Sequence, residues 1–344
     1  MNKNVSDIDI VILWVDGADP DWIASFNKFS MDKKILDTRY KDWDTIKYVF
    51  RGIEKFMPWV RKIHFVTCGQ KPNWMVSNHP KLNFVFHSDI FLTKDILPVF
   101  NSSSIELNFE RIPDLSEKFI YFNDDTLILR PAAESRFFVD NQPVDFLIES
   151  LPRRGKLYNK IRKPDSWSSM INNCIDLING HFYKNDYATM RKEHRYSNRY
   201  KLIHRISNLF FSIEDKYLAF KHYHHPQPYL KKTIINVNKK FSDAVNDTIE
   251  SKFRNSKNIS QALYRYSHLA SGDFYPIYYD DHFCKNISSI NDAKKCAKMI
   301  NNKRFVCVND SISADSIEYA ECRSIIINAL DGILREKSTF EKIS

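Results

Sequence analysis

Glycine is scarce in this sequence, with 7 residues among 344. Phosphate-binding loops of the GxGxxG and GxxxxGK[ST] types need glycine at fixed spacings so that the backbone can approach a phosphate closely. Neither pattern occurs anywhere in the chain. The sequence therefore excludes the two commonest glycine-rich nucleotide-binding loops.

Paired cysteines and long apolar runs are missing as well. The six cysteines are scattered and form no CxxC pair, which is typical of reduced thiols and not of a disulfide framework. No apolar stretch approaches the ~20 residues that span a bilayer. The N-terminal segment reaches Asp7 and Asp9 before any apolar run, unlike a signal peptide. We therefore expect a cytoplasmic protein, with peripheral contact to the inner face of the membrane as a further option.

The composition is that of a globular protein with an excess of positive charge. Hydrophobic residues make up 43% of the chain and the formal net charge is +9. Such an excess suits nucleic acid, an anionic membrane or phosphorylated substrates. Because the basic residues are dispersed and no recognition-helix, RNP or zinc-finger pattern accompanies them, we expect no nucleic-acid partner.

Short apolar runs alternate with helical patterns along the chain. A helix is expected to run to Phe56 with Asp44 as its cap, and a C-terminal helix from about Ala314 to Glu336. This alternation predicts an α/β fold with a mainly parallel sheet, in which ligands bind at the carboxyl ends of the strands. The expected strands are Ile8–Val15, Ile63–Thr67, Leu82–Phe86, Lys118–Phe122 and Arg304–Val308.

Two acidic turns follow expected strands. The carboxylates of Asp124 and Asp125, preceded by Asn123, can hold Mg²⁺ or Mn²⁺ together with a diphosphate. Aspartates that cap the backbone of a turn are an equally good explanation of this motif. The turn Asp16–Pro20 offers acceptors for a ribose, a base or a metal-bound water, although a plain turn is the more common reason for such a sequence.

Two further residues have side chains suited to phosphoryl transfer. His224, in a loop stiffened by Pro226 and Pro228, is a candidate general base, while a structural histidine or a zinc ligand without the usual spacing are the alternatives. Arg254 is a natural partner for a phosphate, and a surface arginine is its simpler interpretation.

The order of these motifs resembles the Stealth family, which includes bacterial capsular-polysaccharide hexose-1-phosphate transferases and the animal N-acetylglucosamine-1-phosphotransferase. One departure is Glu110–Asp114 (ERIPD), where the family usually reads HRIPG. The similar segments are Ile8–Pro20 (IDIVILWVDGADP), Thr38–Met75, Ser102–Asp125 ending in NDD, the His-x-Pro loop at His224, Phe253–Ser256 (FRNS) and Arg304–Asp310 (RFVCVND).

The resemblance implies a Rossmann-like nucleotide-sugar transferase core with a helical insert. Residues 1–150 would be the nucleotide-sugar-binding half, 151–222 a helical, basic insert facing the acceptor, and 223–344 the rest of the core. It also implies site roles. Those roles are catalysis for His224, Asp42, Arg254 and Asp310, substrate binding for Asp16, Gly17, Arg39, Gln70, Asn123 and Asn309, and metal binding for Asp124 and Asp125.

The activity implied is transfer of a hexose-1-phosphate, or an N-acetylhexosamine-1-phosphate, from a UDP-sugar to a sugar hydroxyl with release of UMP. The acceptor would be an oligo- or polysaccharide, polyanionic in some cases, and the capsule assembly machinery is a potential partner. His224, Asp42 or Asp310 would take the proton. A metal-dependent glycosyltransferase that releases UDP is the main alternative, and a non-catalytic polysaccharide-binding protein is a third.

Overall fold

The computed structural model describes residues 7–30, 43–162, 165–184, 192–313 and 316–342. All six cysteines lie in these ranges and are free thiols. The described strands, in chain order, are β1 (Ile8–Leu13), β2 (Ile63–Thr67), β3 (Leu82–Phe86), β4 (Lys118–Asn123), β5 (Thr126–Ile128), β6 (Phe138–Val139), β7 (Gln142–Asp145), β8 (Gln227–Leu230), β9 (Tyr275–Pro276), β10 (His282–Ile287) and β11 (Phe305–Asp310).

The main sheet has the order β3-β2-β1-β4-β8, in which only β8 runs antiparallel to its neighbour. The strand order therefore reverses between β1 and β4, whose register pairs Leu13 with Asn123. This confirms the predicted α/β class with its mainly parallel, Rossmann-like core. A crevice forms at such a reversal because the crossover connections leave β1 and β4 in opposite directions.

Both faces of the main sheet are buried, which explains why its strands read as continuous apolar runs. Ile8, Ile10 and Ile12 of β1 point into one hydrophobic cluster, and Val11 points into another on the opposite face. The first cluster holds the C-terminal helix, and the second holds helices from the middle of the chain.

A smaller sheet has the order β10-β11-β5 and adjoins the main sheet where β4 ends. Strand β10 runs parallel to β11, and β11 runs antiparallel to β5. Since only Asp124 and Asp125 separate β4 from β5, the turn that they form joins the two sheets. A third small sheet has the order β6-β7-β9.

Helices fill the layers on both sides of the sheet. Those described are α1 (Pro20–Phe29), α2 (Ile46–Phe56), α3 (His87–Ile90), α4 (Ser102–Glu106), α5 (Lys156–Ile161), α6 (Ser166–Asn179), α7 (Lys192–Tyr196), α8 (Leu202–Phe211), α9 (Lys231–Lys240), α10 (Ser242–Ile249), α11 (Ala262–Ser271), α12 (Ile290–Ile300) and α13 (Tyr319–Leu334). None of these, in the ranges described, combines the length and apolar character needed to cross a bilayer.

The expected cap of α2 is wrong. The helix begins after Thr45, whose side chain makes no capping hydrogen bond. Asp44 has a positive φ of 62°, and its carboxylate pairs with Arg323 of α13 at 2.7 Å. The carboxylate therefore joins the start of α2 to α13 instead of capping α2.

Residues 151–222 contain α5 to α8 and are strongly helical in their described part. Helix α6 does not stand apart from the sheet. Its Ile171, Cys174, Ile175 and Ile178 share the hydrophobic cluster of Val11, and the helix packs along α11.

A buried ionic network ties together the elements next to the His224 loop. The carboxylate of Asp145, at the end of β7, accepts hydrogen bonds from Arg265 Nη2 at 2.8 Å, His268 Nε2 at 2.8 Å and Gln227 Nε2 at 3.0 Å. Arg265 also donates to the carbonyl of Lys221, three residues before His224. Burial by itself would raise the pKa of Asp145, but the charge of Arg265 and the other donors hold it well below the ordinary range.

Helix α2 approaches β5 so closely that residue 52 has to be glycine. A Cβ on Gly52 would lie 2.3 Å from the carbonyl oxygen of Ile128, whereas a Cβ on Gly332 of α13 would meet nothing within 4 Å. We expect Gly52→Ala to lower the free energy of unfolding by about 1–3 kcal/mol. Gly332→Ala should leave it unchanged or raise it by up to ~1 kcal/mol. Urea denaturation measures both changes, and equal effects would contradict the close packing of α2 on β5.

Candidate active site

A cleft of about 870 Å³ opens where the strand order reverses. Leu13 and Trp14 from the end of β1 and Asn123 from the end of β4 line its floor. Seven of the predicted site residues line this cleft. They are Asn123, Asp124, Asp125, His224, Arg254, Asn309 and Asp310.

The carboxylate of Asp125 contacts three different side chains of the site. Its Oδ1 lies 3.2 Å from His224 Nε2 and accepts from Thr126 Oγ1 at 3.2 Å, and its Oδ2 lies 3.1 Å from Cys307 Sγ. Its backbone carbonyl accepts from the N–H of Val308 on β11 at 2.9 Å. Asp125 follows β4 of the main sheet. It is also held by contacts with β5 and β11 of the small sheet and with the loop that carries His224.

His224 faces this carboxylate from the loop before β8. Its Nε2 also lies 2.6 Å from the side-chain amide of Asn123. Burial lowers the pKa of His224, but the charge and hydrogen bond of Asp125 outweigh that effect and raise the pKa to about 9. In the absence of a cation, the imidazole is therefore protonated at neutral pH.

The neighbouring histidines have different environments. The ring of His225 packs against Phe146 and His282 at centroid distances of 6.2 and 5.1 Å, and its Nδ1 lies 2.8 Å from the carbonyl of Pro226. Burial lowers the pKa of His225 to about 3, so it stays neutral. Burial likewise holds the pKa of His222 well below its ordinary value. His224, in contrast, contacts the NDD turn through both Asn123 and Asp125.

The first acidic turn lies beside the cleft and not in its lining. The backbone N–H of Asp16 donates to Gln70 Oε1 at 2.9 Å, and Gln70 Nε2 donates back to the Asp16 carbonyl at 3.0 Å. The Asp16 carboxylate accepts from the N–H of Ala18, which closes the turn around Gly17. Two predicted substrate-binding residues thus bind each other, and this pair holds the loops after β1 and β2 together. Val15 and Cys68, next to them in sequence, do line the cleft.

Arg254 lines the cleft and contacts helix α4, which is distant in sequence. Its Nη2 donates to Ser102 Oγ at 2.5 Å, and its charge acts on the carboxyl of Glu106. Glu106 also accepts from the hydroxyl of Tyr121 at 3.2 Å and from the N–H of Gln261 at 3.3 Å. Burial raises the pKa of Glu106. The sequence analysis missed Glu106, because a single glutamate within an apolar segment carries no motif.

The end of β11 supplies the remaining predicted residues. Asn309 Nδ2 donates to Asn286 Oδ1 on β10 at 3.0 Å, and Asp310 Oδ1 accepts from the N–H of Ile312 at 3.2 Å. Two predicted residues, Arg39 and Asp42, lie outside the described residues.

Two cysteines of the small sheet were also missed by the sequence analysis. Cys284 and Cys307 face each other in the β10–β11 register, and Cys284 lines the cleft. A hydrogen bond with Cys307 and the charge of His224 lower the pKa of Cys284 to about 7. Their sequence signal is weak, since each sits alone in a strand with no cysteine at metal-binding spacing.

The cleft lining includes several oxygen donors of the kind that bind a hard divalent cation. The carboxylates of Asp124, Asp125 and Asp310 and the amide oxygens of Asn123 and Asn309 are the donors that Mg²⁺ and Mn²⁺ prefer. Asp125 also lies near two softer potential ligands, since ligand atoms of Asp125, His224 and Cys307 lie within 4.8 Å of one another. The residues present therefore fit a metal ion bound through Asp125.

The helical segment contributes one basic wall of the cleft. The guanidinium of Arg153 lies 4.2 Å from the ring centroid of Trp167, and both line the cleft. Arg154, the next residue, instead pairs with Asp176 at 2.6 Å on the exposed surface.

Known proteins share both the motifs and the length of this chain. Stealth protein CR1, conserved region 1, matches residues 6–34, and Stealth protein CR2, conserved region 2, matches residues 39–145. A capsular polysaccharide phosphotransferase WcwK of Streptococcus pneumoniae is 36% identical over 352 residues, which cover 99% of this chain and 99% of the relative. The chain belongs to the Stealth family.

Two other relatives match along nearly their whole length. The exopolysaccharide phosphotransferase cps2G of Lactiplantibacillus plantarum is 32% identical, with 98% of this chain and 96% of the relative covered. The receptor polysaccharide phosphotransferase WefC of Streptococcus oralis is 31% identical, with 99% and 100% covered. The Stealth region that spans residues 39–145 includes Gln70, Glu106 and the NDD turn.

The contact between His224 and Asp125 predicts a measurable titration in this Stealth site. In protein freed of metal with EDTA, the His224 imidazole should titrate near pH 9. Asp125→Asn should lower that midpoint well below the wild-type value, since burial then acts without an opposing charge. Histidine NMR measures both midpoints, with His225→Gln as the control that leaves the His224 midpoint in place.

The ion pair between His224 and Asp125 should stabilise the fold only over a limited pH range. Because the folded pKa is raised above the unfolded value, the stabilisation is complete below about pH 6.5 and is lost as the pH rises through about 9. The Tm difference between wild type and Asp125→Asn should therefore shrink over that range. A difference that grew with pH would contradict the ion pair.

Proposed function

We propose that this protein is a phosphotransferase of surface-polysaccharide synthesis, which transfers a hexose-1-phosphate or N-acetylhexosamine-1-phosphate from a UDP-sugar to a sugar hydroxyl. The phosphotransferase activity and the polysaccharide acceptor are supported by the full-length similarity to the three named enzymes. The observation that carries the proposal is the convergence of Asp124, Asp125, His224, Arg254 and Asp310 on one cleft.

The cleft has the size and lining that two substrates require. Its volume of about 870 Å³ lies in the upper part of the usual range for ligand sites, ~300–1,000 Å³. Near the end of β1 it is walled by Trp22 and Phe100, whose rings lie 5.6 Å apart. We assign the uridine to this aromatic end, the diphosphate to the NDD turn and the acceptor to the side of Arg153.

In the proposed reaction, the acceptor hydroxyl oxygen attacks the β-phosphorus of the UDP-sugar. The bond from that phosphorus to the oxygen bridging it to the α-phosphate breaks, and UMP leaves with the bond's electron pair. Asp124 and Asp125 would hold Mg²⁺ or Mn²⁺, which supplies charge neutralisation on the diphosphate. Arg254 would steady the charge on the transferred phosphoryl group.

His224 is the proposed acceptor of the hydroxyl proton. It has to be neutral for this role, and the negative charge of Asp125 opposes that. A divalent cation held by Asp125 would offset its charge and so would lower the pKa of His224. The contact at 3.2 Å between the two side chains would therefore make the base competent only in the metal-loaded site.

The cellular setting proposed is the cytoplasmic side of the membrane, where UDP-sugars are made. The acceptor is then a growing oligo- or polysaccharide, and the excess of 9 positive charges suits a polyanionic one.

The released nucleotide is the decisive measurement. We expect UMP when the protein turns over a UDP-sugar from a panel that includes UDP-hexoses and UDP-N-acetylhexosamines, with an oligosaccharide acceptor present. Chromatography of the nucleotide products separates the alternatives. UDP would show a glycosyltransferase, and acceptor binding without any nucleotide release would show a binding protein.

The metal assignment is tested in the same assay. EDTA, Asp124→Asn and Asp125→Asn should each lower turnover by at least about 10²-fold, because each removes charge neutralisation at the diphosphate. The matched control is Asp16→Asn, in the neighbouring acidic turn that does not line the cleft. Full turnover in EDTA-treated protein and in both NDD variants would overturn the metal site.

Two adjacent arginines test where the acceptor binds. Arg153 lines the cleft, whereas Arg154 is held by Asp176 outside it. We expect Arg153→Ala to raise the KM for the acceptor about tenfold or more with little change in the KM for the UDP-sugar, since one hydrogen bond to a charged group is lost. Arg154→Ala should change neither constant appreciably. Steady-state kinetics with each substrate varied in turn gives both values, and a change confined to the UDP-sugar would reverse the assignment.

A further inference from the structure

Helix α8 exposes most of its apolar residues to solvent, whereas His204, Asn208 and Phe211 are buried. The apolar residues that face solvent are more than half exposed, with values from 52% to 80%. They are Leu202, Ile203, Ile206, Leu209, Phe210 and, just after the helix, Ile213. At 100° per residue, the five that belong to the helix occupy an arc of about 120°, so they form one continuous stripe. We call this stripe the α8 face.

The opposite side of α8 is fastened by hydrogen bonds that fix its orientation. Asn208 is fully buried, donates to the carbonyls of Leu147 at 2.8 Å and Arg195 at 2.7 Å, and accepts from the N–H of Glu149 at 2.8 Å. Ser207 donates to the Glu149 carbonyl at 2.9 Å. Rotating the helix to bury its apolar stripe would break these four bonds in a desolvated setting, which is costly. The outward apolar face is therefore built into the fold.

The charges around the α8 face are mainly positive. Arg199 and Lys201 precede the helix, Arg205 lies at the edge of the stripe, and Lys216 follows it. Lys201 is paired with Asp280 at 2.5 Å. Two anions, Glu214 and Asp215, lie in the same stretch, so the other three cations against these two anions leave a local charge of +1. An apolar stripe bordered by cations is the pattern of helices that lie in a membrane interface.

We propose that the α8 face docks this protein on an anionic membrane surface. The exposed side chains are Leu, Ile and Phe, and Leu and Phe are typical of the apolar face of a helix that lies in a membrane interface. The net charge of +9 attracts anionic lipid headgroups and repels a second copy of the chain. A protruding helix that sinks about 5–10 Å into the headgroup region would cover the stripe completely.

Docking through α8 would bring the cleft close to the membrane. His204, on the buried side of α8, packs edge-on against Tyr278 with ring centroids 4.5 Å apart. Tyr278 contacts Tyr223 at 6.0 Å, and Tyr223 lines the cleft. Two ring contacts thus connect the docking helix to the site, so an acceptor held at the membrane could reach it.

Vesicle flotation tests this proposal without any need for catalysis, so its result is independent of the proposed reaction. The probes are vesicles of phosphatidylglycerol mixed with phosphatidylcholine, and vesicles of phosphatidylcholine alone. The wild type should float with the anionic vesicles. The triple variant Ile206→Asn, Leu209→Gln, Phe210→Ser should bind them at least about tenfold more weakly, because three inserted apolar side chains are lost.

A matched variant controls for the general loss of surface apolarity. Leu92→Gln, Ile235→Asn and Ile317→Ser replace three exposed apolar residues elsewhere, and this triple variant should float like the wild type. Both triple variants should keep the wild-type Tm and turnover on a soluble acceptor. Equal flotation of the α8 variant and the wild type would overturn the proposal, as would a wild type that fails to float. A wild-type dimer that becomes monomeric in the α8 variant, without vesicle binding by either, would assign the face to a second copy instead.

Discussion

The position of the His224 loop depends on Asp145, a buried carboxylate that does not line the cleft. Asp145 binds Arg265, His268 and Gln227 at once, and Arg265 reaches on to the carbonyl of Lys221. These contacts fix the start of β8 and the segment before it, so the loop that carries His224 is held at both ends. Removing one partner of such a buried pair commonly costs about 3–5 kcal/mol, because the other charge is left uncompensated. The ionic network around Asp145 thus holds the loop that carries His224.

Asp125 shows how one side chain can serve both structure and chemistry. It closes the junction between the two sheets, since its backbone accepts a hydrogen bond from β11 while its carboxylate contacts His224 and Cys307. A carboxylate with this many neighbours is already positioned before any ligand arrives, which reduces the cost of ordering the site on binding. The same contacts couple its charge to the protonation of His224, so the affinity for a cation and the strength of the base are linked.

Much of the core was predictable because a parallel sheet buried on both faces leaves a strong local signal. The strands Ile63–Thr67 and Leu82–Phe86 have the predicted bounds, and β4 and β11 end at the polar residues expected to follow them. The acidic residues after β4 could be placed in the cleft for the same reason, since strand ends meet at one edge. The Asp44 cap failed because the helix begins after Thr45, and the sequence gives no sign that the Asp44 carboxylate pairs with Arg323, 279 residues away.

The sequence by itself determined the α/β class, the NDD turn at a strand end and the distinct character of the His224 loop, because each depends on residues close together in the chain. Only the tertiary structure decided that Asp16 and Gln70 bind each other beside the cleft, that Glu106 and Cys307 belong to the site, and that the apolar stripe of α8 faces outward. An apolar stripe at helical spacing normally predicts a buried face. Here the hydrogen bonds of Asn208 reverse that expectation, and they come from chain segments that no local pattern connects to α8.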